Sequence, residues 1–208
     1  QTIDLIHEDQ IDILNYGKGP DSLYDRPLKV EVWYPADISD ENNELIIYEE
    51  VMGNANSPDR PIIPFTFLGR ANREADPELE GGPYPLIIVS HGYTGSRLLF
   101  TYLTENLASK GYVVVSIDHA ESTFRDAAGF NSTLLNRSLD VLFVLNEIAQ
   151  LSESNDSFLF GVVNADLTAL IGYSMGGYGV VNVAGAGYSP QATRFFSSMS
   201  GGCTALDK

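Results

Sequence analysis

A serine stands between glycines at the point where an apolar run ends. Ser174 lies within Gly172–Gly177, and this segment follows the apolar residues Leu167–Ile171. A serine on a sharp turn from a buried strand into a helix can act as a nucleophile, because the turn holds its hydroxyl clear of the sheet. Such a turn needs small neighbours, since its backbone is strained, and Gly172 and Gly176 meet that need. The spacing therefore predicts a nucleophile at Ser174.

The same turn is also predicted to supply a hydrogen-bond donor for a negatively charged oxygen. The backbone N–H of Met175 opens the expected helix and points toward the oxygen of a carbonyl group that Ser174 would attack. The competing interpretation is a turn without chemistry, because glycine and serine are common turn residues. The apolar strand before the turn and the small-residue helix after it, Tyr178–Ala184, favour the catalytic interpretation.

A second motif occupies a similar position earlier in the chain. Ser90–Ser96 follows the apolar run Leu86–Val89 and precedes a helical pattern, so its backbone N–H groups are free to bind negative charge. The N–H of Tyr93 is the candidate second donor of an oxyanion hole, and Gly92 lets the chain approach a substrate closely. We expect the neighbouring His91 to fix this loop through hydrogen bonds rather than to act as a general base.

Other ionisable residues fit chemistry less well. Asp118–Glu121 contains two carboxylates and a histidine at the end of a strand, but a metal site needs more ligands than this run provides. We therefore expect Asp118 and His119 to order a loop and no metal to bind. His7 lies outside every motif and is predicted to be a surface residue. No cofactor is expected, because the glycines near Ser174 lack the lysine of a phosphate-binding loop.

Composition limits the partners. The 208 residues include 28 acidic and 12 basic side chains, a formal charge of -16, which disfavours binding to nucleic acid or to anionic membrane surfaces. No apolar run approaches the roughly 18 residues that span a bilayer. The chain begins at Gln1 rather than methionine, which indicates either a removed secretory signal or an artificial boundary, and favours a secreted or periplasmic protein. The lone Cys203 is predicted to be a buried small apolar residue.

Apolar runs alternate with helical patterns over most of the sequence. This alternation predicts a mostly parallel sheet with helices on both faces, an α/β fold. The predicted strands are 28–34, Leu86–Val89, Tyr112–Ile117, Leu167–Ile171 and Arg194–Met199. The sheet is expected to begin either at residues 28–34 or just before them, with Ile11–Leu14. The predicted helices are Ser96–Lys110, which Gly111 ends, Leu134–Leu151, and the helix after Ser174.

The length fits a single domain over residues 1–208. Residues 36–82 are acidic and rich in Asn, Pro and Gly, and we interpret them as an insertion of loops and short elements rather than as a separate domain.

These motifs together resemble the α/β-hydrolase superfamily, and within it the bacterial platelet-activating-factor acetylhydrolase and cutinase-like esterases. The resemblance is carried by Arg26–Ala36, His91–Arg97, Ile117–His119 and Gly172–Gly177. Dienelactone hydrolases are similar in layout, but they use a cysteine where this chain has Ser174. The resemblance implies a serine hydrolase that cleaves carboxylic esters, with a small-molecule or polymeric substrate.

The resemblance also implies an acid and a histidine after the serine. The residues after Ser174 contain no histidine, and Asp207 is their only acidic residue. We expect a truncated chain that lacks the C-terminal strands of the fold and shows little turnover alone. The alternatives are a degenerate, non-catalytic interaction protein or a histidine recruited from before Ser174. A serine peptidase or acyltransferase on the same scaffold is a further alternative.

Overall fold

A five-stranded mixed sheet forms the centre of the molecule. The computed structural model describes residues 1–18, 23–38 and 45–207. The strands of this sheet are β1 (Thr2–Ile11), β2 (Leu23–Trp33), β5 (Tyr84–Ser90), β6 (Val113–Asp118) and β7 (Val163–Gly172). Their order is β1-β2-β6-β5-β7. β1 with β2 and β2 with β6 pair antiparallel, whereas β6 with β5 and β5 with β7 pair parallel.

Helices cover both faces of the sheet, as predicted. They are α1 (Thr101–Ala108), α2 (Phe130–Glu153), α3 (Met175–Val183) and α4 (Pro190–Met199), followed by a short 3-10 helix at Ala205–Asp207. Successive side chains of a strand point to opposite faces. In β5, Leu86 and Ile88 pack in the cluster formed with α2, whereas Ile87 and Val89 pack in the cluster that includes Ala108 of α1. The continuous apolar run of β5 therefore marks a strand that is buried on both faces. The run Leu167–Ile171, predicted to be a buried strand, instead lies on the edge strand β7, where Leu167 is 59% exposed.

The segment that we interpret from the sequence as an insertion contains a separate two-stranded antiparallel sheet. Its strands are β3 (Ile47–Met52) and β4 (Ile63–Leu68), with Tyr48 opposite Phe67 and Glu50 opposite Phe65. Part of the predicted insertion, residues 39–44, lies outside the described residues.

One predicted strand was wrong. Arg194–Met199 forms the greater part of helix α4, not a strand. The helix begins because Ser189 caps it, its hydroxyl accepting a hydrogen bond from the Ala192 amide, and because Pro190 suits the first helical turn. The apolar pair Phe195–Phe196 has strand propensity, but these start signals outweigh it.

The beginning of the sheet was also misplaced. It begins with β1 at Thr2, whereas Ile13 and Leu14 lie in the turn that follows β1. His7 on β1 is half-buried rather than a surface residue, and its ring stacks on Phe143 at 4.1 Å between centroids.

Cys203 is 2% exposed in a small cluster that also contains Ile13, Leu135 and Phe196, which confirms its prediction as a buried apolar residue.

Helix α1 is shorter than predicted, beginning at Thr101, and Gly111 follows its end with φ +88°. None of the helices in the described ranges is both long and apolar enough to span a bilayer.

Candidate active site

Ser174 occupies a strained turn between β7 and α3, which we call the elbow (Gly172–Met175). β7 ends at Gly172 and α3 begins at Met175. Ser174 has φ +52° and ψ −116°, a conformation that L-residues rarely adopt and that costs about 1–3 kcal/mol. The residue is exposed at the surface. The turn thus presents the Ser174 hydroxyl to solvent, where a substrate can reach it.

The glycines of this turn permit a close approach of backbones. A Cβ on Gly172 would lie 2.3 Å from the carbonyl oxygen of Gly176, and a Cβ on Gly176 would lie 1.9 Å from the carbonyl oxygen of Ser90. Both distances are far below van der Waals contact. The two glycines therefore set the spacing between the elbow, its helix and the neighbouring strand β5.

The fold brings the two predicted motifs together. A Cβ on Gly92 would lie 3.3 Å from the Cβ of Ser174, and the Tyr173 amide donates a hydrogen bond of 3.1 Å to the Ser90 carbonyl oxygen. Parallel pairing of β5 with β7 is the cause, since Ser90 lies opposite Gly172 at the carboxyl ends of both strands. Gly92 therefore borders Ser174 directly.

The two candidate oxyanion donors flank this contact. Met175 is the first residue of α3, so its amide has no acceptor within the helix. Within the part of the chain that the structure describes, the amides of Tyr93 and Met175 donate no hydrogen bond to a protein acceptor. The Tyr93 hydroxyl donates to the Ala128 carbonyl oxygen at 2.6 Å, and its ring meets Phe130 edge-on at 5.6 Å. The Tyr93 side chain is thereby anchored away from its own amide.

His91 is fully buried beneath this turn. Its Nδ1 donates to the Gly92 carbonyl oxygen at 2.6 Å, and its Nε2 faces the His119 amide at 3.4 Å. Burial lowers the pKa of His91 well below the ordinary value of 6.5, and the charge of Arg137 acts in the same direction. His91 is neutral and bonded on both ring nitrogens, a geometry that suits the loop-fixing role.

A buried Ser–His–Asp series lies behind the elbow, and the sequence analysis did not predict it. The Ser90 hydroxyl donates to Nε2 of His119 at 2.8 Å, and Nδ1 of His119 donates to Asp140 at 2.9 Å. Each of the three side chains is at most 1% exposed. The order of groups matches that of a hydrolytic triad, but no substrate can reach a serine enclosed by packed side chains. The series therefore joins β5, the residue that follows β6, and α2.

The surroundings of this series lower the pKa values of both of its ionisable members. Burial would raise the pKa of Asp140, but the charge of Arg26 and hydrogen bonds from His119 and Arg26 hold it below its usual range. Burial, with the charge of Arg137, lowers the pKa of His119 to about 3. Arg26 donates to both Asp140 oxygens, at 2.8 and 3.1 Å. The series therefore consists of a neutral imidazole and a carboxylate whose charge Arg26 balances.

Arg137 links the series to the candidate oxyanion loop. Its Nη1 donates to the His91 carbonyl oxygen at 2.9 Å, and the side chain is 1% exposed. Gly179 of α3 makes room for it, since a Cβ there would lie 2.5 Å from the Arg137 Cγ. Asp140 lies three residues further along α2, so Arg137 and Asp140 share one face of the helix. Two charged residues at this spacing within an otherwise apolar helical pattern were the sequence signal that could have revealed both.

Asp118 orders the segment that precedes α1. It accepts a hydrogen bond from the Arg97 amide at 2.5 Å, and it forms an ion pair with Nη1 of Arg97 at 2.6 Å. Burial raises the pKa of Asp118, although the charge of Arg97 opposes the rise. No group of three or more side chains that could hold a metal ion occurs among the residues described.

We predict that lowering the pH destabilises the protein through its buried histidines. In the folded protein the pKa of His119 is about 3, below the ordinary 6.5, and the pKa of His91 is also lowered. The unfolded chain binds more protons between these values, so the free energy of unfolding falls as pH falls below about 6.5. Urea unfolding followed by Trp33 fluorescence from pH 7.5 to 4.5 measures this slope.

The His119→Gln variant is the control for this prediction. It removes one of the titrating groups, so its unfolding free energy should fall less steeply with acidification than that of the wild type. A wild-type unfolding free energy that does not change between pH 7.5 and 4.5 contradicts the prediction.

Comparison with known proteins agrees with this geometry. A family model described as PET hydrolase-like matches residues 76–194, which include both motifs. Cutinase 2 of Thermobifida cellulosilytica is 30% identical over 105 residues, which cover 50% of this chain and 36% of that protein. Cutinase est1 of Thermobifida alba is 32% identical over 105 residues, covering 50% of this chain and 32% of that protein. The match therefore spans about a third of each cutinase.

A solved structure supports the fold. The ferulic acid esterase of Streptomyces cinnamoneus superposes with a TM-score of 0.57 at 24% sequence identity, covering 88% of this chain and 54% of that one. This agreement confirms the α/β-hydrolase fold that the sequence predicted. Because the family model covers more than half of the chain, including Ser174 and the loop at Gly92, this chain belongs to the PET hydrolase-like family.

Proposed function

We propose that this chain carries the nucleophile and the oxyanion hole of a carboxylic ester hydrolase. Ser174 is the nucleophile, and the amides of Tyr93 and Met175 are the oxyanion donors. The observation that carries the proposal is the exposed Ser174 at φ +52°, placed so close to Gly92 that a Cβ on Gly92 would lie 3.3 Å from the Ser174 Cβ. The named relatives are cutinases and a ferulic acid esterase, which favours esters of small molecules or polymers as substrates.

The reaction proceeds by acyl transfer. The Ser174 Oγ forms a bond to the ester carbonyl carbon and gives its proton to a base, which later passes it to the leaving alcohol, while the carbonyl oxygen becomes negative and accepts hydrogen bonds from the two amides. The bond to the alcohol then breaks, the alcohol leaves with a proton, and water releases the acid from the acyl-enzyme. Each oxyanion donor stabilises the transition state by about 2.7–4 kcal/mol.

The proton acceptor is not among the histidines of this chain. His119 is bonded to Ser90 and Asp140, and His91 to the Gly92 carbonyl oxygen and the His119 amide. No imidazole is hydrogen-bonded to the Ser174 Oγ in the ranges that the structure describes. An unassisted hydroxyl is almost wholly protonated at neutral pH, so we expect residues 1–208 alone to turn over esters slowly.

Labelling with a fluorophosphonate tests the proposal without requiring turnover. The Ser174 Oγ displaces fluoride at phosphorus and forms a phosphonyl ester, which mass spectrometry locates on the peptide. We expect labelling at Ser174 whose rate rises with pH and with added imidazole, because an exposed hydroxyl can use an external base. Ser174→Ala should abolish labelling at position 174, because alanine has no hydroxyl.

The matched control is the buried serine of the internal series. Ser90→Ala removes an equally polar hydroxyl that solvent cannot reach, so labelling at Ser174 should persist in that variant. Labelling that is absent at Ser174, or that survives unchanged in Ser174→Ala, counts against the proposed nucleophile. Rapid hydrolysis of a p-nitrophenyl ester by the 208-residue chain would instead contradict the expected lack of a base.

A further inference from the structure

A large cavity lies beside the hairpin β3–β4, next to the end of β2 and to α1. Its volume is about 1140 Å³, slightly above the range of about 300–1,000 Å³ typical of small-molecule sites. Its floor is the end of β2 and its side wall is α1. Ser174, Tyr93 and Met175 are not among the residues that surround it. The cavity is therefore distinct from the candidate active site.

One face of the hairpin forms the roof. Tyr48, Glu50 and Met52 alternate along β3 and point to the same side, opposite Phe67 and Phe65 on β4. The floor contributes Trp33, whose Nε1 donates to the Tyr48 hydroxyl at 2.9 Å. The wall thus includes aromatic side chains from both the hairpin and β2, and flat apolar groups of a ligand would pack against them.

Several apolar side chains of the wall remain open to solvent. Met52 is 61% exposed, Phe65 38%, Leu68 68% and Tyr102 75%. Large apolar side chains that are gathered around one concave surface mark binding sites, because covering them removes apolar area from water. An apolar occupant would cover these side chains.

The polar groups of the wall define one end of the occupant. Glu50 is 7% exposed, and its Oε1 accepts a hydrogen bond from the Val51 amide at 2.8 Å. Its Oε2 is buried and has no hydrogen-bond partner among the described residues, and the nearest cation, Arg125, is 3.9 Å from Oε1. A buried acceptor without a donor is costly, so a donor from a ligand would be favourable here.

The other carboxylates of the wall already have partners. These pairs are Glu31 with Arg73, Glu78 with the Gly81 amide, and Glu105 with the Tyr48 hydroxyl. Four carboxylates and two arginines line the cavity of a chain with a formal charge of -16, so an anionic ligand is disfavoured. Among the four carboxylates that line the cavity, Glu50 is therefore the one with a buried oxygen that has no partner in the described ranges.

From these observations we propose that the cavity binds a neutral or cationic aromatic molecule whose N–H or O–H group donates a hydrogen bond to Glu50. The site is separate from ester cleavage at Ser174 and stands whether or not Ser174 is a nucleophile. The aromatic walls bind the body of the ligand, and the Glu50 carboxylate selects a donor at its end.

Trp33 provides a direct readout, because it is the single tryptophan of the chain and lines the cavity. The probe is N-phenyl-1-naphthylamine, a neutral aromatic amine that accepts excitation energy from tryptophan. We expect saturable quenching of Trp33 emission with probe fluorescence appearing in parallel. The anionic 8-anilinonaphthalene-1-sulfonate should bind at least about tenfold more weakly.

Two variants test the location. Ala71 lines the cavity, and Ala71→Phe should weaken probe binding at least about tenfold by filling the space. Ala186→Phe places the same side chain on an exposed turn outside the cavity and should leave binding unchanged. Equal affinities of these two variants, or the absence of saturable quenching in the wild type, would overturn the proposal.

A third variant tests the hydrogen bond and does not depend on the folding of Ala71→Phe. Glu50→Gln keeps the shape of the side chain and should weaken binding of the naphthylamine about tenfold. It should leave unchanged the binding of 1-phenoxynaphthalene, in which an ether oxygen replaces the N–H group. Because the glutamine amide oxygen can still accept a hydrogen bond, Glu50→Met, which has no acceptor oxygen, is tested in parallel. If in Glu50→Met both compounds lose affinity equally, or neither does, Glu50 is not the acceptor and the proposal fails. Ser174→Ala should bind the probe like the wild type, which separates this result from the labelling experiment.

Discussion

Gly176→Ala should destabilise the protein by about 3 kcal/mol or more, because the new methyl group overlaps backbone rather than a flexible side chain. The Cβ would lie 1.9 Å from the Ser90 carbonyl oxygen and 2.8 Å from the His91 carbonyl oxygen. Relief requires α3 to move away from the end of β5, which also moves Ser174 away from Gly92. Urea unfolding followed by Trp33 fluorescence and circular dichroism measures the loss.

The adjacent glycine is the matched control for this substitution. A Cβ on Gly177 would meet the Gly172 carbonyl oxygen at 3.5 Å, which is ordinary van der Waals contact. Alanine is a better helix former than glycine, so Gly177→Ala should stabilise α3 by about 0.5–1 kcal/mol. Similar unfolding free energies for the two variants would mean that the elbow tolerates a wider spacing than the structure shows.

Asp140→Ala should cost about 3–5 kcal/mol of unfolding free energy, because it removes one partner of a buried ion pair and leaves the other without compensation. Arg26 is 1% exposed and loses both hydrogen bonds to Asp140, at 2.8 and 3.1 Å. His119 loses the acceptor that fixes its tautomer. The expected result is a large fall in the urea midpoint at pH 7.5.

An exposed ion pair of similar length provides the comparison. Lys29 and Asp4 approach to 2.9 Å across β1 and β2, but their side chains are 46% and 75% exposed. Asp4→Ala should therefore change the unfolding free energy by less than about 1 kcal/mol. If Asp140→Ala were as mild as Asp4→Ala, the buried series would not contribute to stability in the way that its geometry indicates.

The strands beside the candidate site were predictable because their sequence carries a local signal. Leu86–Val89 and Tyr112–Ile117 are continuous apolar runs, which suit strands covered on both faces, and both runs form central strands. The α4 error shows the limit of such signals. Phe195 and Phe196 favour a strand on their own, and the cap at Ser189 that starts the helix was overlooked.

The two site motifs were also visible in the sequence, since each lies where an apolar run meets a helical pattern. Their proximity follows from the parallel pairing of β5 with β7. The alternation of strands and helices predicts parallel strands, but only the structure shows which strands are neighbours. The roles of Ser174, Tyr93 and Met175 stay predictions, and the labelling experiment tests that of Ser174. The expected C-terminal continuation likewise stays a prediction.

What the sequence by itself determined is the set of elements with short-range signals: the apolar strands, the glycine spacing around Ser174 and the excess of negative charge. Tertiary structure alone decided which polar groups meet. Ser90, His119 and Asp140 lie on three elements, separated by 29 and 21 residues, and only packing brings them within hydrogen-bond distance. The cavity under the hairpin depends on tertiary structure for the same reason, because its walls come from segments whose contacts no local pattern encodes.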